Sequence, residues 1–450
     1  LDIFLLTLLM QQSELYFTNS SIILIRFFLF FFNPLQRVHI LVLNNYMKLH
    51  NLIFIFHFSL LTLFIGCDTL FTSKPETGET FDQTLEGLTR TQKLAFARGD
   101  EAFEKTFSVI EGLGPIFVQP SCEGCHNGDG KGHPRTNLKR FQKNDGSQVD
   151  TNFTIQYGGA QLQQRSIPGI PPEEIPSQRS AISTRSGPPV FGMGLIEAID
   201  DATILANVDS GDGISGKANF VPAHEMAIPP NVNSYNGKYL GRFGRKSGTP
   251  FLLQQVATAY LQDMGITSEF FPQELQHAQL GTMSENIPEP EVSFSTLNDV
   301  ANYLRMLAPP KRGKITSQIK LGDSLFTAIG CANCHIPKMQ TGIHPTIAAL
   351  SNKQVHLYSD LLLHDMGDEL ADNFIEGEAN GKEWRTTPLW GLRLYAENLG
   401  GTAYYLHDGR TNDLKTAILF HGGEAMSARN LFNALSNADK EAVLAFLRSL

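Results

Sequence analysis

The sequence is poor in several things that would each have named a class of protein. It has no basic block: 36 Lys and Arg face 45 Asp and Glu, a formal net charge of −9. A nucleic-acid partner is therefore not expected. The stretch from Ile22 to Phe32 is apolar but short and broken by Arg26, whereas a membrane span takes about 20 residues. No strand–helix–strand pattern of the thioredoxin kind is visible. Tryptophan occurs only at positions 384 and 390, and cysteine only five times.

Four of those five cysteines fall into two short motifs. One reads Cys122-Glu123-Gly124-Cys125-His126, the other Cys331-Ala332-Asn333-Cys334-His335. Positions three and four apart share one face of a helical turn. Both thiols can then reach the two vinyl groups of a haem while the histidine turns under the iron as proximal ligand. Cys-x-x-Cys-His is the attachment signature of c-type haem. A Cys₄ zinc site or a dithiol redox pair would use the cysteines but leave both histidines unexplained. The expectation is two covalently bound haem c groups, held by Cys122, Cys125, Cys331 and Cys334, with His126 and His335 on the irons.

The fifth cysteine suggests the compartment. Met47 and Lys48 precede an apolar run from Leu52 to Ile65 that ends in Gly66-Cys67. A short basic start, an apolar core and a small residue before the cut describe a signal peptide over 47–66. Cys67 stands where a lipobox places the lipidated N-terminus; the alternative is a plain signal peptide with an idle thiol. Residues 1–46 are read as translated sequence upstream of a start at Met47, the alternative being an extra membrane anchor. The chain is thus expected on the periplasmic side of a bacterial membrane as a lipoprotein, touching the membrane through its lipid anchor only.

Residues 67–90 form a polar tether. Thirty-nine glycines and 23 prolines indicate a loop-rich fold. Apolar spacing predicts helices from Arg90 to about Gly112, over 251–264, over 295–307, from Gln318 to Ile329 and from Asp439 to Leu450. Weak alternation from Phe153 to Ile167 predicts a hairpin. A helix before each motif and a helix closing each unit give a mainly α fold. It comprises two cytochrome c-like haem domains, 91–310 and 311–450, with long loops and a small β-containing insertion near 200–290.

Several segments resemble one family. They are Arg185-Ser186-Gly187-Pro188-Pro189-Val190-Phe191-Gly192-Met193-Gly194-Leu195-Ile196-Glu197-Ala198-Ile199, Gly211-Asp212-Gly213-Ile214-Ser215-Gly216 and Gly241-Arg242-Phe243-Gly244. Further on come Tyr358-Ser359-Asp360-Leu361-Leu362-Leu363-His364-Asp365-Met366-Gly367, Glu383-Trp384-Arg385-Thr386 and Tyr405-Leu406-His407-Asp408-Gly409-Arg410, running to His421-Gly422-Gly423-Glu424-Ala425. Over about residues 90–450 the chain resembles the peroxidase-like di-haem oxidoreductases, also called thiol oxidoreductases, relatives of the bacterial di-haem cytochrome c peroxidases.

The resemblance implies site residues. In the peroxidase relatives a His-Asp-Gly motif precedes the distal ligand of the second haem by fourteen residues, and counting from His407 reaches His421. Those relatives usually carry methionine there; histidine would lower the potential of that haem. Met366 is the other candidate ligand, its alternative role being core packing. His407 is expected to orient the loop or a haem propionate. Thr402 and Tyr404 fall where relatives donate oxygens to a calcium ion between the haems. No distal histidine is evident for the first haem, since His133 and His224 read as loop residues. Glu197 is then the candidate acid–base group for peroxide cleavage, against a plain helix-start glutamate. Trp384 or Trp390 could relay electrons, with core packing as the alternative.

The function implied is that of a peroxidase-like enzyme. Electrons from a small redox donor protein or quinol-linked cytochrome enter at one haem, and hydrogen peroxide is reduced at the other. An electron-transfer cytochrome without catalysis, or an oxidoreductase of thiols or other small molecules, are the alternatives.

Overall fold

Two helix pairs frame the structure, and each is legible from its caps and apolar spacing. The first helix, Arg90–Glu104, opens with a capping box in which the Thr89 hydroxyl accepts from the Gln92 amide and the Gln92 side chain accepts from the Thr89 amide. It buries Phe96, Gly99 and Phe103, one stripe, against the helix Phe294–Met306, which Ser293 caps. Gly99 sits at the crossing, where any side chain would collide with the Asp299 carbonyl and the Tyr303 Cβ. In the second pair, Ser317–Ala328 packs on Asn437–Leu447, with Thr316 and Ser436 as caps. Here Gly322 faces the Ala442 carbonyl just as closely. Phe326 and Phe446 meet beside it at 5.1 Å.

The computed structural model describes residues 80–208, 211, 214–284 and 287–450, all within one unit, Pro75–Leu450. The segment 1–46, the signal peptide 47–66, Cys67 and most of the 67–90 tether lie outside the described residues, as do Asp212 and Gly213. Among the described residues there are eleven α-helices and six two-stranded antiparallel pairs. The fold is helix-rich but mixed. None of the described helices is long and apolar enough to cross a membrane.

Four of the expected helices stand within three residues of their forecast ends. The helix forecast to Gly112 instead stops at Glu104. There the chain turns so that the Phe107 amide donates to the Pro120 carbonyl at 2.8 Å. Phe107 is buried by that turn, edge-on to Tyr260, so the apolar period outlasts the helix. The hairpin forecast over 153–167 is absent. Asp150 caps a short helix, Thr151–Gln156, and Gly158 and Gly159 at positive φ end it. Arg165–Ser166 then pairs with Ile116–Phe117 rather than with its own neighbour.

Nor is β structure confined to the 200–290 insertion. The longest pair joins Leu138–Gln142 to Ala181–Arg185, ahead of it. One large core runs from Phe81 to Ala403 and takes in Met339, Leu350, Leu357, Leu361 and Trp390 from beyond residue 310. A smaller core of Phe326, Ile329, Tyr358, Leu414, Phe432 and Val443 to Leu450 surrounds the second helix pair.

Candidate haem sites

The second motif sits where the Ser317–Ala328 helix ends. Gly330, at φ 87°, turns the chain into a tight helical turn, Cys331–Asn333. The His335 amide closes it by donating to the Cys331 carbonyl at 3.0 Å. Both thiols and the imidazole thus start from one turn, as the spacing requires. They open into a cavity of about 430 Å³ lined by Phe326, Leu389, Leu414 and Val443, in the range of roughly 300–1,000 Å³ common to cofactor sites.

Two histidines in this cavity share one arrangement. His335 Nδ1 donates to the Tyr358 carbonyl at 2.9 Å, and His421 Nδ1 donates to the Ala417 carbonyl at 2.9 Å. A carbonyl partner fixes the proton on Nδ1 and leaves Nε2 with a free lone pair, the tautomer a metal ligand needs. Burial lowers the pKa of both, to about 4 for His335. Both are neutral at pH 7. Met366 lines the same cavity.

Three basic side chains complete the wall. Arg385 donates through Nε to the Gly244 carbonyl at 3.0 Å, but its Nη1 is buried without a partner. Arg245 donates to the Ser186 carbonyl, and Lys131 Nζ donates to the Tyr404 and Leu406 carbonyls at 2.7 and 2.9 Å. Burial depresses the pKa of each, to about 10 for the arginines and well down for Lys131. Such a wall calls for an anionic partner. A haem fits: its propionates offer carboxylates to the unpaired Nη1, its ring suits the apolar wall, and its iron suits the two free Nε2 atoms. The thiols fit too. Burial pushes Cys331 up to about 12 and Cys334 upward, a setting for neutral thioethers rather than thiolates.

The first motif is built differently. Cys125 and His126 amides both donate to the Cys122 carbonyl, at 3.1 and 3.0 Å. Burial raises both thiols to about 12 and lowers His126 to about 4. His126 Nδ1 has no well-formed partner; the Gly130 and Pro188 carbonyls face the ring. Gly187 lies against it, where a Cβ would stand 2.8 Å from His126 Cε1. Nearby, burial raises the Asp129 carboxyl to about 7, and its Oδ1 is unpaired. His133 and His224 are loop residues: each spends Nδ1 on a backbone amide, of Arg135 at 3.0 Å and Met226 at 3.3 Å.

Two expected sites meet specific partners in the fold. Glu197 is largely buried and bonded to Arg305 Nε at 2.7 Å and to the Leu252 amide at 2.9 Å. Burial disfavours its charge, but Arg305 outweighs it and holds the carboxyl below its ordinary value. Both oxygens are engaged in the folded protein. The calcium expectation meets Lys131, whose Nζ occupies the position facing the Tyr404 carbonyl.

His407 does line the cavity, stacked on Trp384 at 3.7 Å and 10°. Lys246 and Arg185 lie over the same indole. Trp390 packs against Gly192. Sequence reading missed Lys131, Arg245 and the role of Arg385; it held His364 as a fallback ligand after His421 and did not join it to Asp360 and Glu424. His364 Nε2 donates to Asp360 at 2.7 Å and Nδ1 to Glu424 at 2.9 Å, with Cys334 Sγ 3.7 Å away. Burial opposes a charge on His364, but the bond to Asp360 lifts its pKa to about 11. Among the described residues no four cysteines converge as a zinc site would require.

The profile of the family described as "Di-haem oxidoreductase, putative peroxidase" matches residues 175–450. That range contains the second motif and begins after the first. No curated protein matches the chain. Among solved structures, hydrazine synthase of Kuenenia stuttgartiensis, pressurised with xenon, is 14% identical over 84% of this chain and 99% of its own, with a TM-score of 0.31. A MauG-like protein associated with microbial copper homeostasis is 17% identical over 63% of this chain and 94% of its own, with a TM-score of 0.28. At those scores neither likeness bears on the site.

Proposed function

This chain belongs to the di-haem oxidoreductase family, and on that premise we propose that it is a peroxidase-like enzyme with one covalently attached haem at each Cys-x-x-Cys-His motif. Electrons from a small donor protein or quinol-linked cytochrome enter at the second site; hydrogen peroxide is reduced at the first. The observation that carries the reading is the contrast in histidines. His335 faces a second, carbonyl-tethered His421 across one cavity, whereas His126 has no such counterpart among the described residues. Bound haem supplies one-electron redox chemistry and, where a coordination position is open, conversion of H₂O₂, two electrons and two protons to two waters.

The chain's own residues do the rest. Cys122, Cys125, Cys331 and Cys334 anchor the two groups as thioethers. His126 and His335 are the proximal ligands, and His421 closes the second site, with Met366 held in reserve. Arg385 and Arg245 offset the propionate charges. Glu197 is a packing residue that neutralises Arg305. Residues 91–310 and 311–450 act as two cytochrome c-like units, each closed by one helix pair. Secretion through the 47–66 leader and lipidation at Cys67 put the enzyme on the periplasmic face of a membrane.

Denatured, reduced holoprotein in alkaline pyridine tests the reading. A c-type spectrum with two haems per chain is expected, falling to one in Cys331→Ala and in Cys122→Ala. Haem that acid acetone extracts would refute covalent attachment. Full occupancy without peroxide turnover would favour the electron-transfer cytochrome, and turnover of thiols alone would favour the thiol oxidoreductase.

A further inference from the structure

Two side chains could complete the second iron site, and they ride on segments that touch. His421 ends one segment and Met366 follows the strand Leu363–Asp365; both line the cavity that holds His335. Gly422 lies so close to that strand's end that a Cβ would stand 2.9 Å from the Met366 carbonyl. What fastens the segments is Glu424, three residues past His421.

Its carboxylate is saturated. Oε1 accepts from Ser215 Oγ at 2.8 Å and from the Asp365 amide at 3.3 Å. Oε2 accepts from His364 Nδ1 at 2.9 Å and from the Ser215 amide at 3.2 Å. His364 is itself pinned, since Nε2 donates to Asp360 Oδ2 at 2.7 Å while Asp360 Oδ1 accepts from the Leu362 amide at 3.0 Å. Asp360 and His364 are almost fully buried, at 1% and 3% exposure. An imidazole donating from both nitrogens to two carboxylates is a buried ion-pair triad, rigid when complete and costly when broken. One arm of the triad grips the backbone directly before Met366; the other grips the turn directly after His421.

We propose that Glu424 is a positioning residue that selects the second haem's sixth ligand, holding His421 over the iron and Met366 away from it. The proposal rests on the reading that His421 is that ligand. With the latch closed, the 421–425 turn is fixed and the strand end cannot swing. With the latch gone, both segments are released from each other, and the thioether competes for the iron.

The test uses ferric and ferrous holoprotein, read by optical spectrum and by potentiometry rather than by turnover. Glu424→Ala should gain the far-red charge-transfer band of a methionine-ligated ferric haem and raise the potential of one haem only, since a thioether favours the ferrous state. Glu424→Gln, whose amide oxygen still accepts from His364, should restore the wild-type spectrum. Glu424→Ala combined with Met366→Leu should lose the new band. If Glu424→Ala yields no holoprotein, Glu424→Asp carries the same test, because the shortened side chain no longer spans to His364; a mixture of both spectra is expected.

An unchanged spectrum and unchanged potentials in the Glu424 variants, with His421→Ala altering one haem, would overturn the latch alone. His421→Ala indistinguishable from wild type would overturn the ligand reading beneath it.

Discussion

The two motif sites differ in how completely the protein finishes them. At the second, two histidines line one cavity, each with Nδ1 tied to a carbonyl at 2.9 Å. Arg385 keeps an unspent Nη1, and a buried triad holds the surrounding segments. At the first, the proximal His126 lacks that tether, a glycine presses against its ring, and the nearby Asp129 keeps an unpaired oxygen. Nδ1 tethering fixes ring orientation and raises ligand basicity, so on the function proposed above the second haem would keep two histidine ligands. On the same reading the first haem would be the one that admits a small ligand. The proposed division of labour between electron transfer and chemistry rests on this difference in hydrogen bonding.

The largest effect that would break this contrast is in ligand stoichiometry. Cyanide added to the ferric holoprotein should bind one equivalent per chain, at the first haem. His421→Ala should take up a second, because the latch keeps Met366 from filling the vacancy. Titration showing two equivalents in the wild type, or none, would erase the difference between the sites.

Next in size is the cost of removing Glu197. Leaving Arg305 without its partner in a largely buried setting should destabilise the protein by about 3 kcal/mol. Peroxide turnover by the surviving holoenzyme should change by less than about threefold. An acid–base role would instead cost typically 10²–10⁴-fold. Denaturant unfolding and steady-state rates on Glu197→Gln separate the two.

A smaller and more graded effect concerns the join between the sites. Glu376 binds Arg140 and Arg185, from the strand pair of the first unit, at 2.9 and 2.6 Å. Burial opposes its charge, but Arg185 and then Arg140 outweigh burial and bring its pKa down to about 2, from 4.5. A carboxyl depressed in the folded state binds fewer protons folded than unfolded. Its contribution, on the order of 3 kcal/mol, is therefore whole above pH 4.5 and is lost as pH falls toward 2. Glu376→Gln should lower stability at pH 7 and flatten the decline between pH 4.5 and 2. Unfolding curves across that window that run parallel to wild type would contradict the assignment.

Much of this architecture is written locally. Thr89, Ser293, Thr316 and Ser436 cap helices whose apolar stripes are visible in sequence, and the two Cys-x-x-Cys-His turns need only their own five residues. What sequence hides is set by distant partners. The unspent donor of Arg385 depends on which backbone closes around it. Lys131 finds its carbonyls more than 270 residues away. Glu197 looks like a reactive carboxylate until Arg305, 108 residues on, is found against it. The triad is a middle case: His364 and Glu424 both lie in segments that carry the family resemblance, but only the fold shows that they bond to each other. The forecast hairpin over 153–167 failed for a local reason, since weak alternation lost to the Asp150 cap and two glycines at positive φ.

The central claim is that one chain holds one open and one closed haem, and low-temperature electron paramagnetic resonance of the ferric holoprotein tests it most directly. One high-spin signal and one low-spin signal with bis-imidazole character, in equal amounts and together accounting for two haems per chain, is the result expected. Two low-spin signals, or a low-spin signal of histidine–methionine character, would contradict the account.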